Sequence, residues 1–177
     1  LNIMQRLYEH HKVLTYPRTD SRYIGSDIVP TIKERLKACN IGPYKAYIPA
    51  LLKAPICTSK AFVDDKKVSD HHAIIPTEEY VQLDHMSNEE RKIYDLVVRR
   101  FIGVLYPAYE YEQTTMKATV QISAKPSVAT AVFGAKGQVV LKEGWKAVYD
   151  NMSLDEEEDD KSGDQLRLAG QQLPTLK

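Results

Sequence analysis

Between Leu105 and Glu110 the spacing of apolar residues changes from a helical period to a strand period, and no other feature limits the possible fold as strongly. Upstream, Ile3, Met4, Leu7 and Tyr8 share one face over residues 3–11, which predicts an amphipathic helix. Ser26 is placed to cap a second helix whose stripe is Ile28, Ile32, Leu36 and Cys39, stopped by Asn40-Ile41-Gly42-Pro43. Residues 44–53 predict a further short helix despite Pro49. Ser87 and Glu90 form a capping box ahead of a helix expected to face Ile93, Leu96, Val97, Phe101 and Val104 inward. Past Pro107 the stretch YEYEQTTMKATVQI alternates and is rich in Thr, Tyr and Val, as a strand with one solvated face would be. Two or three more strands are expected in ATAVFGAKGQVVLKEGWKAVY, punctuated by Gly134, Gly137 and Gly144. The expected class is α+β: a helical domain over 1–106, then a β-rich segment over 107–177.

The chain has 177 residues, 43% of them hydrophobic, which is enough for a real core. No apolar run approaches the length needed to cross a bilayer, and the N-terminal residues lack the charged, apolar and cleavage regions of a signal peptide. A cytoplasmic protein without membrane association is expected. The opening Leu1-Asn2, already in helical rhythm and without Met, suggests a piece of a longer protein. Formal net charge is zero, but residues 1–106 carry 16 Lys and Arg against 13 Asp and Glu, while 107–177 carry 8 against 11. Much of the acidic excess is the run DEEEDD at 155–160, expected to be a solvated loop. The helical part is therefore free to meet nucleic acid. Cys39 and Cys57 make neither a zinc pattern nor a disulfide framework and are expected to be structural thiols.

Two short stretches carry chemistry. In LTYPRTDSRYI, residues 14–24, a phenol, guanidinium groups, Asp20 and Ser21 crowd together just after a helix. An ordinary surface turn accounts for them, because the residue before proline is driven to extended geometry and Arg and Asp are at home in water. A nucleophilic Tyr16 with Arg18 as its electrostatic partner accounts for them equally well. In VSDHHAIIPTEEY, residues 68–80, Asp70-His71-His72 matches the name motif of the DHH phosphoesterases. That chemistry needs further Asp and His clusters to hold two metals, and none is evident: His10 and His11 end a helix and His85 lies in a polar loop.

Together, LYEHHKVLTYPRTDSRYI and DHHAIIPT closely resemble the catalytic-tyrosine domain of bacterial type IA DNA topoisomerases, in particular the topoisomerase III branch. Ile75 stands where the topoisomerase I branch commonly has Arg, which favours that assignment. VVLKEGWKAVY resembles the β-rich arch that follows this domain, so the resemblance covers nearly the whole chain. It implies that Tyr16 attacks one DNA strand, holds the 5′ end as a phosphotyrosine, and lets the strand be resealed without ATP after strand passage. A phenol suits such a reversible step, being a poor nucleophile at neutral pH but a reasonable leaving group. Arg18, at i+2 on an extended segment, shares a face with Tyr16 and can reach the same phosphate. By the resemblance His71 contacts the scissile phosphate, and Arg18, Ser21, Arg22, His71 and Thr77 contact DNA. His72 is expected to be a neighbour, and Asp20 a turn group.

The resemblance further implies Mg²⁺ in the full-length enzyme, bound by an acidic domain with no counterpart here, and partners consisting of single-stranded DNA and the remaining domains. No metal ligand is assigned in this chain, and the chain alone is expected to be inactive. A non-catalytic DNA-binding module, meeting phosphates through Lys33, Arg35, Lys37, Arg99 and Arg100, is the alternative. Tyrosine recombinases and type IB enzymes fit less well, since their Arg and His residues precede the tyrosine.

Overall fold

The computed structural model describes residues 1–124 and 127–149, the side chains of 122–129 excepted. It has four α-helices, α1 Asn2–Glu9, α2 Ile32–Ala38, α3 Ile48–Lys53 and α4 Asn88–Leu105, and two strands, β1 Glu110–Ala124 and β2 Ser127–Lys142. Short 3-10 helices lie at Val29–Thr31, Gly42–Ala46, Asp65–Lys67, Leu83–His85 and Gly144–Tyr149. The class is α+β. Two compact units divide these elements: Leu1–Pro107 together with residues 145–149, and Ala108–Gly144.

The first unit is built on α4. Its capping box is complete: the Ser87 hydroxyl accepts from the Glu90 backbone N–H at 3.2 Å, and the Glu90 carboxylate accepts from the Ser87 N–H at 2.8 Å. That N–H first, and the neighbouring Arg6 and His11 after it, hold the Glu90 carboxyl below the usual carboxylate range, against the effect of burial. Tyr94, Val98 and Ile102 form the fully buried stripe of α4, and Leu7, Ile32, Leu36 and Ile48 close the core around it. Tyr44 joins them, its hydroxyl donating to Asp95 at 3.0 Å, and burial pushes its phenol far up.

Four local expectations differ. Of Ile93, Leu96, Val97, Phe101 and Val104, expected to face inward, only Phe101 is buried and Leu96 is 45% exposed, because Tyr94, Val98 and Ile102 take the core face, with the Tyr94 hydroxyl 3.3 Å from the Cys39 sulfur. Ser26 does not cap a helix: its N–H and hydroxyl both donate to Asp65, at 2.6 and 2.9 Å, and α2 starts only at Ile32 behind a 3-10 turn that begins Val29-Pro30. Pro49 does not weaken α3, because it occupies the first turn, where no backbone donor is required. The stretch read as two or three strands is one strand of 16 residues, and WKAVY forms the 3-10 turn Gly144–Tyr149 instead. Val148 of that turn is fully buried, its carbonyl accepts from Arg99, and the Tyr149 ring lies against Gly103, where an added Cβ would be 3.3 Å from the phenol oxygen.

The second unit is an antiparallel ribbon in which Thr114 faces Gly137 and Lys117 faces Gly134. Met116, Val120, Val132, Phe133 and Val139 are all exposed, so among the described side chains this pair of strands has no buried face. The acidic run 155–160 and the rest of the C-terminal stretch lie outside the described residues.

Candidate active site

Helix α1 ends at Glu9, and Lys12, at φ 57°, turns the chain back through the left-handed region. Val13–Thr15 then pair with residues 75–77: Thr15 N–H donates to the Ile75 carbonyl at 3.0 Å and Thr77 N–H to the Val13 carbonyl at 3.1 Å. Between these bonds Leu14 faces Pro76 in an antiparallel bridge. Proline fits there because this is the non-hydrogen-bonded pair, whose N–H is not used. The Thr15 side chain adds two links, accepting from Ile75 N–H at 2.9 Å and donating to the Ala73 carbonyl at 3.3 Å. Buried Arg35 of α2 fixes the far side, donating to the Pro76 carbonyl, to the Thr31 hydroxyl and to Glu78, each at 2.8 Å. Desolvation holds its guanidinium below the usual value, with Glu78 opposing.

Tyr16 follows directly from this clamp. Its ring centroid lies 4.2 Å from that of His71, tilted by 36°, and 5.5 Å from that of Tyr8, edge to face. The phenol ring is thus oriented from two sides. Its hydroxyl has no hydrogen-bond partner among the described residues. Thr19 donates to the His71 carbonyl at 3.0 Å, and Ala73 N–H donates to the Tyr23 carbonyl at 2.8 Å. The tyrosine-bearing and histidine-bearing segments are therefore laced together along their length.

Tyr16 and His71, separated by most of the helical unit in sequence, are in ring contact. Arg18 is exposed and pairs with no carboxylate among the described residues. Ser21 and Thr77 have structural tasks: the Ser21 hydroxyl donates toward the Lys67 carbonyl at 2.9 Å, and the Thr77 hydroxyl to the Lys12 carbonyl at 2.6 Å. Arg22 lies 5.9 Å from the Tyr23 ring centroid. His72 is held by its neighbour, with Nδ1 2.7 Å from the Ala73 carbonyl; since a carbonyl only accepts, Nδ1 carries the proton. Of the cations proposed for phosphate contact on the helices, Arg35 and Arg99 are buried and bonded within the protein, and Lys37 is bound to Glu34 at 2.8 Å. Sequence reasoning assigned no site role to Tyr8, and its DNA-binding alternative gave Arg35 to phosphate, because nothing in the pattern signals an edge-on ring eight residues away or a buried guanidinium.

The family model described as DNA topoisomerase matches residues 1–176. The chain belongs to this family. It is 55% identical to the DNA topoisomerase 3 of Bacillus cereus over 166 residues, which is 94% of this chain and 22% of that protein. The DNA topoisomerase 3 of Bacillus subtilis is 48% identical over 176 residues, 99% of this chain and 23% of that one. The chain thus spans under a quarter of the length of these bacterial topoisomerases. Among the described residues of this topoisomerase-family chain no three His, Cys, Asp or Glu side chains gather as metal ligands, so they hold no fitting ligand set for Mg²⁺. No described helix is long and apolar enough to cross a membrane.

Proposed function

We propose that this chain is the tyrosine-bearing part of a type IA topoisomerase and that Tyr16 is its nucleophile toward single-stranded DNA. The observation that carries the reading is the Tyr16 ring held between His71 and Tyr8, with its hydroxyl left without a protein partner among the described residues. The phenol oxygen attacks the phosphorus of one phosphodiester. An oxygen–phosphorus bond to Tyr16 forms, the bond to the 3′ oxygen breaks, and that oxygen leaves with a proton as a free 3′ hydroxyl. The phenolic proton departs to solvent or to a neighbouring base. Because one phosphodiester replaces another, the reverse attack reseals the strand and no ATP is consumed.

In this reading His71, in ring contact with Tyr16, donates a hydrogen bond to the phosphate as charge builds on it, and Arg18 neutralises a phosphate oxygen through its planar fork. In the complete enzyme Mg²⁺ would be held by another domain and would supply charge neutralisation, and the 177-residue chain alone is expected neither to cleave nor to relax DNA. The reading is tested by covalent capture of a labelled single-stranded oligonucleotide by the complete enzyme under denaturing conditions. Tyr16→Phe is expected to abolish the adduct while leaving noncovalent binding intact. An adduct that survives Tyr16→Phe and is lost in Tyr23→Phe would overturn it.

A further inference from the structure

Beside the Tyr16 turn lies an open cleft of about 440 Å³ lined by Asp20, Ser21, Arg22, Tyr23, Lys66, Lys67, Val68 and Ser69. We propose that Arg22, Lys66 and Lys67 make it a second phosphate subsite, which seats a phosphodiester of the same strand that is cut at Tyr16. The assignment rests on the reading that Tyr16 acts on single-stranded DNA.

Charge supports an anion here. Arg22 and Lys66 pair with no carboxylate among the described residues. The nearby Asp65 is turned away, its carboxylate accepting from the Ser26 backbone N–H and then from the Ser26 hydroxyl, which also holds it below the usual carboxylate range. Lys67 lies 3.5 Å from Asp64, 3.3 Å from the Tyr23 hydroxyl and 4.6 Å from that ring's centroid. The phenol of Tyr23 is pulled below its ordinary value, chiefly by the Lys67 hydrogen bond, as expected where cations outweigh anions. Asp20, 3.5 Å from the Ser69 hydroxyl, is the one lining carboxylate.

Shape and connection point to a polymer. The cleft is open, as a through-running chain requires and an enclosed small-molecule pocket is not. Cations approach the Tyr23 ring, so the cleft offers charge to a backbone and no vacant aromatic platform to a base. It is also fixed to the nucleophile: the segment from Thr19 to Tyr23 is bonded to the His71 carbonyl at one end and to the Ala73 N–H at the other. One strand can therefore be gripped at two phosphates by a single rigid turn.

The test is fluorescence anisotropy of labelled homopolymeric single strands with the 177-residue chain across a salt series. The double variant Arg22→Ala/Lys67→Ala should weaken binding to every homopolymer alike and flatten the salt slope by about 0.7 for each phosphate that is no longer neutralised. Lys45→Ala, an exposed lysine outside the cleft, should leave the slope unchanged. Wild-type slope and affinity in the double variant, with circular dichroism showing both folded, would overturn the proposal, as would base-dependent losses. Inorganic phosphate is the second probe: if it displaces the strand fully at equal phosphate concentration, the cleft takes a free anion and the strand assignment fails. Loss of the covalent adduct in Tyr16→Phe, or its survival, reports on the nucleophile alone and leaves the slope result standing.

Discussion

Replacing Arg35 by Met would remove a buried side chain that ties α2 to the segment clamping Tyr16. Three bonds go. The Thr31 hydroxyl keeps a partner, since it donates to the Ile28 carbonyl at 2.8 Å, so that loss is small. Glu78 is 47% exposed and returns to water, so the ion pair contributes on the order of 0–1 kcal/mol. The Pro76 carbonyl is different: the residue is fully buried, and an acceptor left without a donor there costs about 1–3 kcal/mol. Relief of the desolvated guanidinium offsets a part, leaving a net loss of about 2 kcal/mol. For a unit of this size that lowers Tm by about 8–16 °C. Thermal unfolding followed by far-ultraviolet circular dichroism measures it, with Glu78→Gln alongside. A Tm unchanged within error in Arg35→Met, or an equal fall in Glu78→Gln, would refute the view that the carbonyl bond carries the effect.

Arg18→Ala in the complete enzyme should lower the rate of covalent adduct formation by about two to three powers of ten, and Arg18→Lys should recover only part of it, having charge without the fork; rapid-quench capture measures both. Glu90 is more acidic folded than unfolded, so its stabilisation is complete above the unfolded value of about 4.3 and is lost as pH falls through the lower folded value. Glu90→Gln should therefore flatten the acid limb of a Tm-against-pH curve. Burial pushes the Cys39 thiol up to about 11, while Cys57 is exposed. Maleimide at neutral pH should label one thiol in the folded chain and two in denaturant, read by mass spectrometry.

Where sequence reasoning succeeded, the cause was local. The Ser87–Glu90 box follows from interactions within one turn, and the structure has it; the α4 stripe was set on the wrong positions, because Tyr94 is carried into the core by its contact with Cys39, which lies 55 residues away. Ser26 was misjudged because its cap competes with Asp65, 39 residues away, which no local pattern reveals. The glycines of β2 suggested strand breaks, yet Gly134 and Gly137 stay paired, since in an open ribbon no packed face needs their missing side chains. The stretches bearing Tyr16 and His71 were singled out through their resemblance, while the ring contact between them and the edge-on Tyr8 depend on long-range closure that spacing does not encode.

That closure also sets an order of events in folding. The links holding Tyr16 join residues 58, 60 and 52 positions apart: Thr15 to Ala73 and Ile75, and Thr19 to His71. Bringing such distant segments together costs loop entropy before any bond returns it, and contacts of high sequence separation form slowly. The α2 and α3 helices lie inside that loop, so they can assemble on local contacts first and shorten the chain to be closed. The surroundings of Tyr16 then close only when residues 71–75 reach it, and a chain whose helices have formed but whose loop is still open carries the tyrosine without its ring partner His71.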